Sequence, residues 1–548
     1  MGGGRLPLSD AAQTRGSMMR KSVLITGAVA LLGFTACGDQ LSVTNTRNPD
    51  VERVLSTAKG IEATISGFGS QLNNPQRASE SVNTQSKIMA EETFATVANF
   101  GMAARVASRA TINNELGNDH QTGNLSVYNA MQRLSRSVAN ALAAFNRVKA
   151  AGLNTLTPAD ENRMLAFAYL ILGQTQGYVA FAYDSGAIVT AAVASGEIPG
   201  LSSAAALNAA AIANLDSAVI IAGRGMTTAP NTWISGVALD QAAFIRLARS
   251  YRARIRAGVA RTAAERAAVA WPLVIADAAA GITADHNITI FGTTGWGAGF
   301  DAGQMYVTGG WHAFPMAFAG MADSSNAYQT WYSTSPTSAR RAFLVRTADQ
   351  RWARGDTRAL QQANTPTNSI APRYIRNRPT GEDVVAASSG ESFYDHRRYG
   401  ATNASTTGGP YTDMSKTEID MLAAEGHLYA GNRALAEPLI SISRVRNGLP
   451  SVVGVGAGVV PGGNACVPKL RSGACGTLLD ALKYEKRMET AFTGFMVWFT
   501  DSRGWSDLPG LGTGTAVEWP VPYQEMQNRQ QAFYNGTNRF VGTSTYGF

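Results

Sequence analysis

Cysteine, histidine and charge are all scarce in this chain. It has three Cys and five His in 548 residues, and only 16% of residues are charged. The net charge of +8 is carried mostly by Arg scattered among acids, without a run of five or six charges of one sign. That pattern makes a mixed, solvated surface with too little charge to imply a nucleic-acid partner, and none is expected. The signatures G-x-S-x-G, H-E-x-x-H and G-x-x-x-x-G-K are absent, so neither a nucleophile elbow, a zinc-protease helix nor a phosphate loop is present. A glycosidase needs two carboxylates facing across a sugar, whereas Glu91 and Glu92 are adjacent in a predicted helix and diverge by about 100°. Asp395, beside His396, Arg397 and Arg398, reads as an ion-paired loop residue, and His427 as a structural helix residue. Asn113, Asn114, Glu115, Asn118 and Asp119 lack the spacing of a calcium-binding EF-hand loop and read as a capped turn. No catalysis, cofactor or metal is expected.

Long hydrophobic runs are also missing. The run Val23–Phe34 has about a dozen residues, short of the roughly 20 that a membrane-spanning helix needs. Arg20 and Lys21 precede it and the small residues Thr35 and Ala36 follow, which makes residues 18–36 an export signal. Residues 1–17 stand upstream of an ordinary start at Met18 or Met19 and read as an over-extended start. Phe34-Thr-Ala-Cys37 resembles the bacterial lipobox, in which the new N-terminal Cys carries acyl chains, so Cys37 is the expected lipidation site and the membrane is met through a lipid anchor. Residues 1–36 hold Arg5, Arg15, Arg20 and Lys21 against Asp10, leaving +5 on the mature chain. Residues 37–49 are polar and aperiodic, a tether reaching at most about 40 Å. In an exported protein the remaining pair, Cys466 and Cys475, with no further His or Cys close by to complete a metal site, reads as a disulfide closing a small loop. Such a loop contributes on the order of 2 to 3 kcal/mol.

What the chain has in quantity is Ala and helical periodicity. Asp50 is expected to cap a helix to about Leu72, with Val51, Val54, Leu55, Ala58, Ile61, Ile65 and Phe68 on one face. A less regular helix follows at about 86–107. From Leu125 to Ala151, apolar residues recur every three or four positions and Gly152 stops the stripe. Thr157-Pro158 opens a helix that runs to about Tyr183, in which Gly173 lets a neighbour come close. Residues 203–222 and 237–257 are helical, Thr262-Ala-Ala-Glu265 is a capping box, and Trp271-Pro272 kinks or restarts the chain. A second capping box, Ser415-Lys-Thr-Glu418, opens a pair that turns at Gly431-Asn432 and ends at Asn447-Gly448. These repeated antiparallel pairs in residues 50–280 and 411–548 predict a mainly α fold, a tetratricopeptide-like helical-repeat scaffold.

The repeats are split by residues 281–410, a large loop-rich insertion dense in Gly, Thr, Ser and aromatics. Most of those aromatics are expected in a satellite core and a few at a pocket rim. Trp296, Tyr306, Trp311, Trp331 and Tyr332, near Gln304, His312 and Asn326, supply flat apolar faces together with hydrogen-bonding groups. They are the expected ligand-binding residues for a sugar, whose CH faces stack on rings and whose hydroxyls need polar partners. Residues 77–100 offer a second lining.

Ala424-Glu425, Val445-Arg446-Asn447-Gly448, Glu485, Arg487, Glu489, Gly494, Pro520-Val521-Pro522, Glu525 and Asn528 form an ordered C-terminal set of motifs. With them the C-terminal part resembles the SusD/RagB family of outer-membrane nutrient-binding lipoproteins, which has its C-terminal motifs at matching places. Lys486 shifts the Glu-Arg spacing, Thr493 replaces an acid, and no Arg follows Gly494. The order of lipobox, tether, helix pairs, insertion and C-terminal block follows the family throughout. The resemblance implies a tetratricopeptide-type scaffold lying over a SusC-like TonB-dependent transporter at the outer membrane, exposed at the cell surface. There it would capture an oligosaccharide, glycan or peptide and pass it inward. The contrasting expectation is a helical-repeat surface scaffold that binds another protein and no small nutrient.

Overall fold

The computed structural model describes residues 51–95, 111–118, 121–194, 196–291, 296–297, 312–363, 374–381, 390–404, 408–510 and 514–542. The chain divides after Val54 into two units. Of the first, only the helical turn Val51–Val54 is described, and Cys37 and the tether lie outside the described residues. The second unit, Leu55–Phe548, carries the helical stack and the loop-rich excursion.

The helix expected from Asp50 to Leu72 is not continuous. Helix α1 (Ala58–Ser66) starts afresh where the Thr57 hydroxyl accepts the Gly60 N–H at 3.1 Å, and Gly67 separates it from α2 (Phe68–Gln76). A good N-cap and a poor helix former override the apolar stripe that runs across them. Helix α3 (Val82–Met89) replaces the expected stretch at 86–107 as far as that stretch is described, and the short strand β1 (Phe94–Ala95) follows. Helix α4 (Gln121–Ala150) buries the stripe Tyr128, Met131, Leu134, Val138, Leu142 and Phe145, and ends before Gly152 at φ +70°. Helix α5 (Pro158–Ala182) is capped by Thr157 and is buried almost all round, so it is the central rod of the core.

After a hairpin of β2 (Ser185–Ala187) and β3 (Leu201–Ser203), helix α6 (Ala204–Gly223) packs back along α5. A Cβ at Gly173 would stand 2.7 Å from Leu215 Cγ and 3.0 Å from the Ala211 carbonyl oxygen, so only Gly permits this approach. Gly173→Val is expected to cost about 1 to 3 kcal/mol by overpacking, measurable as a lowered denaturation midpoint with an unchanged denaturant slope.

The helix expected at 237–257 begins late. Residues 229–239 form a hairpin, β4 (Ala229–Ile234) and β5 (Val237–Leu239), and Asp240 caps α7 (Gln241–Gly258). Helices α8 (Ala263–Ala267) and α9 (Trp271–Ala279) follow, the second restarted with Pro272 in its first turn. Strand β6 (His286–Ile290) leads out into the loop-rich stretch. That stretch carries β7 (His312–Ala313), α10 (Met316–Ala322), α11 (Ala327–Ser333), β8 (Ile375–Asn377) and β9 (Tyr394–His396). Strand β10 (Gly409–Met414) returns antiparallel to β6, so the excursion leaves and re-enters the helical stack at one place. Helix α9 then packs on α12 (Lys416–Tyr429), α12 on α13 (Arg433–Arg446), and both on α14 (Leu478–Thr490), so the stack continues across the gap in sequence. Helix α15 (Val497–Gly504), strand β11 (Thr515–Ala516), helix α16 (Tyr523–Asn528) and strand β12 (Arg539–Phe540) close the chain.

Buried arginines fasten these layers. Arg254 of α7 gives two hydrogen bonds of 2.7 Å to Glu418 of α12, and Arg266 of α8 reaches Glu425 of α12 and Asp501 of α15. Arg351 joins Asp349, Glu485 and Glu489. Arg503 spends its donors on the carbonyls of Phe181, Gly258, Ala260 and Val517 at 2.7 to 3.1 Å, closing the C-terminal ends of α5 and α7 together. The two expected capping boxes are only half formed. Thr262 and Ser415 cap their helices, but the Glu265 carboxylate accepts the Arg261 N–H and that of Glu418 serves Arg254. The complete box is at Thr477 and Asp480.

Among the described aromatics of the excursion, Phe314, Phe318, Tyr328, Trp352, Tyr374, Tyr394 and Tyr399 are core. Phe314 and Phe318 pack on Phe492 and Trp498 of the C-terminal block at 5.8 and 4.9 Å between ring centroids. The Tyr399 hydroxyl donates to the Phe492 carbonyl at 3.0 Å and Arg398 to those of Glu489 and Met488. Cys466 and Cys475 form a disulfide, with Cα atoms 5.8 Å apart.

Candidate functional site

Helix α11 owes its position to one carboxylate. Asp323 is fully buried and accepts the N–H groups of Ser325, Ala327 and Arg346 at 2.9 to 3.3 Å and that of Tyr328 at 3.3 Å. It thereby caps a helix whose preceding residue, Asn326, adopts φ +65° and offers no side-chain cap of its own. Tyr328, Trp331 and Tyr332 then fall at i, i+3 and i+4 on one face. Tyr328 is buried against α10, where a Cβ on Gly320 would stand 2.3 Å from the ring, and burial pushes its hydroxyl pKa well up. Trp331 and Tyr332 remain half-buried.

Around these rings the structure places cations. Trp331 stacks on Tyr328 with centroids 5.9 Å apart and planes inclined by 16°. The Arg340 guanidinium lies 4.6 Å from the Trp331 centroid and 5.6 Å from that of Tyr332. Arg471 lies 4.7 Å from the Tyr332 centroid and donates to its hydroxyl at 3.2 Å. Such contacts are worth about 0.5 to 1 kcal/mol each at exposed sites. Arg471 comes from the disulfide loop, which is tied down beside α11 by Gln329 donating to the Leu470 carbonyl at 2.8 Å and by Lys469 donating to that of Ser324 at 3.0 Å. Two segments about 140 residues apart thus build one arginine-aromatic face, with Arg471 and Tyr332 separated by 139 positions, and the disulfide fixes the second of them.

The other sequence-predicted ligand residues do not join this face as far as they are described. Trp296 is half-buried on the helical side. It bonds through its backbone to Thr289 and Phe291 and packs against Gly69, lining a cavity of about 30 Å³ with Tyr178, Tyr251, His286 and Asp413. Tyr306, Trp311 and Gln304 lie outside the described residues, and of His312 only the strand position is described. The second lining expected at 77–100 is described only to Ala95, and that part is largely core: Arg77 is buried with its guanidinium 3.6 Å from the Tyr411 ring centroid, and Glu92 is buried on Lys87 and accepts the Phe492 N–H at 2.5 Å. Glu91 and Glu92 follow α3 and are not part of it, Glu91 at φ +53°. Asp395 sits in β9, paired with Arg376 at 2.7 Å. Asn114 holds the C-terminal segment through the carbonyls of Val521 and Tyr534, at 2.8 and 3.1 Å.

An open cleft of about 380 Å³ beside the β6–β10 pair is lined by Tyr374, Arg398, Tyr399, Arg446 and Glu489. Its charges are largely spoken for. Burial would push the Glu489 carboxyl up, but Arg351 and Arg446 outweigh it and hold the group below the ordinary carboxylate range. Sequence reading missed Arg340 and Arg471. The signal was available for the first: Ser324 to Ala348 contains Arg340, Arg341 and Arg346 and no acid.

Neither the scan against family models nor the search of curated proteins finds a match. Solved structures do match. A SusD homolog from Parabacteroides distasonis superposes with a TM-score of 0.55 at 13% identity, covering 86% of this chain and 93% of that one. A SusD superfamily protein from Bacteroides vulgatus gives 0.52 at 13% identity over 83% and 89%. One from Bacteroides thetaiotaomicron gives 0.51 at 14% over 87% and 98%. The chain has the SusD fold. At such identities the shared quantity is backbone architecture, a mainly α tetratricopeptide-like stack with a loop-rich excursion. Within the SusD-like fold of this chain, the motif residues of the C-terminal block are fasteners: Glu425 and Glu485 anchor buried arginines, Arg487 meets Asp507, and Glu525 meets Arg529. Lys486, where the spacing departs, is bonded to Asp501 at 2.8 Å, and Thr493 bonds back to the Thr490 carbonyl at 2.9 Å.

Proposed function

We propose that this protein is a cell-surface capture lipoprotein. Anchored to the outer membrane through acylated Cys37, it binds an oligosaccharide, glycan or peptide and delivers it to a SusC-like TonB-dependent transporter. It performs no catalysis of its own. The observation that carries the reading is the half-buried pair Trp331 and Tyr332, set with Arg340 and Arg471 on the loop-rich side of a SusD-type stack. Aromatic surface flanked by hydrogen-bond donors is what a sugar or peptide needs for orientation. Trp331→Ala and Tyr332→Ala are expected to weaken ligand binding by about tenfold or more, roughly 1.4 kcal/mol, with little change in melting temperature. Unchanged affinity in both variants would place the ligand elsewhere.

A specific observation also favours a protein partner on the helical side. Helix α6 is apolar along its length yet mostly uncovered, and Ile220, Leu273, Leu435, Ile442 and Val445 of α6, α9 and α13 are each half or more exposed. Exposed apolar side chains spread over several helices suit docking on another protein. In the proposed role that protein is the transporter; in the alternative role, a surface scaffold without a nutrient, it is another partner. Gentle purification from outer membranes discriminates them: co-isolation of a TonB-dependent barrel supports the first, and its absence the second.

A further inference from the structure

Resting on the reading of Trp331 and Tyr332 as the ligand face, we propose that the ligand is an acidic oligosaccharide whose carboxylate or sulfate groups are received by Arg340 and Arg341. The rings of this face are not bare. Tyr328 stacks on Trp331 and Arg340 lies over both Trp331 and Tyr332, so what the face turns outward includes guanidinium edges as well as ring surface. Arg340 donates only to backbone carbonyls, those of Tyr332 at 2.7 Å and Thr334 at 3.3 Å. Arg341 is exposed and donates to the carbonyls of Ser338 and Arg340 at 3.0 and 2.9 Å. Neither meets a carboxylate among the described residues. This sets them apart in a fold whose other arginines are so often matched with acids, Arg254, Arg266, Arg351 and Arg376 among them.

The local charge has one sign. Arg340 and Arg471 meet the rings of α11 and Lys469 the carbonyl of Ser324 just before it, Arg341 and Arg346 follow Arg340 along the chain, and the two segments that carry them, Ser324 to Ala348 and Pro450 to Leu479, contain no Asp or Glu. Among the described residues, three acids act on these groups or their neighbours. Asp323 is buried and saturated by backbone N–H groups, Asp356 is taken by Arg346 at 3.4 Å, and Glu91 acts on the Tyr328 hydroxyl in opposition to Arg471 and Arg340. A guanidinium held by carbonyls on one edge and stacked on an aromatic ring is pre-oriented to offer its remaining N–H pair to a planar oxyanion, the geometry in which Arg binds carboxylates and other oxyanions best. A neutral sugar can accept hydrogen bonds from Arg340 and Arg341 through its hydroxyls but brings no negative charge to meet theirs, so the charge-assisted bonds of an acidic sugar are the stronger match.

The test uses the full mature chain and isothermal titration at low and at physiological ionic strength. The probes are an oligogalacturonide, the same oligomer with its carboxyls methyl-esterified, a sulfated galactan oligosaccharide, and a neutral galactan oligosaccharide. The expected result is binding of the uronate or the sulfated probe, about tenfold or more weaker for the methyl ester or the neutral galactan respectively, with affinity falling as salt rises. Preference between the two acidic probes tells carboxylate from sulfate. Arg341→Gln, at an exposed position, and Arg340→Lys, which keeps the charge and loses the planar fork, should each lower affinity for the acidic probe at unchanged melting temperature. Equal or tighter binding of the neutral or esterified probes overturns the acidic assignment. The face itself still stands in that case if Trp331→Ala abolishes the binding, and falls if it does not. Failure to bind any of the four probes overturns the assignment to acidic oligosaccharides.

Discussion

Arg266→Ala is expected to lower the unfolding free energy by about 3 to 5 kcal/mol, the cost of stripping one partner from a buried charge network. Arg266 is fully buried. Its Nε and Nη2 donate to Glu425 at 2.7 and 2.6 Å, Nη2 also reaches Asp501 at 2.9 Å, and Nη1 closes the Ala257 carbonyl at 2.7 Å. Removing it leaves Asp501 with Lys486 at 2.8 Å, but leaves Glu425, also fully buried, with only the Trp505 indole N–H at 2.7 Å. Chemical denaturation reads the loss directly. Glu425→Gln should cost less, because the amide keeps part of the hydrogen bonding and removes the orphaned charge along with its partner's attraction.

The pH dependence of that loss has a definite sign. Burial alone pushes the Glu425 carboxyl up, but Arg266 outweighs burial and holds it below the ordinary value of 4.5. A carboxylate with a depressed folded pKa contributes stability that is present above the ordinary value and is lost as pH falls through the folded one. Without Arg266, burial acts unopposed by that charge and Glu425 gains a proton more readily on folding. The stability gap between the native protein and Arg266→Ala should therefore narrow as pH is lowered below about 4.5. A gap that stays constant between neutral and acidic pH would show that Arg266 contributes through packing and not through Glu425.

Cys37→Ala is expected to move the protein almost entirely from the membrane to the soluble fraction, in cells that lack the transporter. Acyl chains contribute roughly 0.8 kcal/mol per buried CH₂, so a single chain holds marginally and two or three hold lastingly. Among the described residues nothing substitutes for them: of the two helices apolar and long enough to cross a membrane, α5 is the buried rod of the core, and α6 packs against it. The released protein should keep its fold and its ligand affinity, since the proposed lipid site precedes a polar stretch in the sequence. In the proposed role, growth on the ligand should fall, because capture would no longer happen beside the transporter. Continued fractionation with membranes would remove the anchor from the proposal.

How much of this was legible in the residues differs from element to element. The helices α4, α5, α6 and α12 stand where periodicity and caps put them; in the last three, Thr157, Ser203 and Ser415 satisfy the first N–H groups locally and need no tertiary partner. The break at Thr57 is obscured because an apolar stripe runs straight through it, and the helix expected at 237–257 takes in the second strand of the pair that ends before Asp240, where only the packing decides between a bent and a straight path. In the candidate site, Trp331 and Tyr332 could be picked out as aromatics in a loop-rich region. Their placing with Arg340 and Arg471, and away from Trp296, could not, because the partner arginine arrives from a disulfide loop far along the chain. By itself the sequence determined the helical repeat and the resemblance that pointed to the fold, and it alone carries the expectation of an export signal and an anchor at Cys37. Those rest on local periodicity and short motifs. Only the tertiary structure decided which acid answers which buried arginine, and that Arg340 meets carbonyls and rings, and Arg341 carbonyls, where others meet carboxylates, because a charge's partner is set by three-dimensional proximity and not by spacing along the chain.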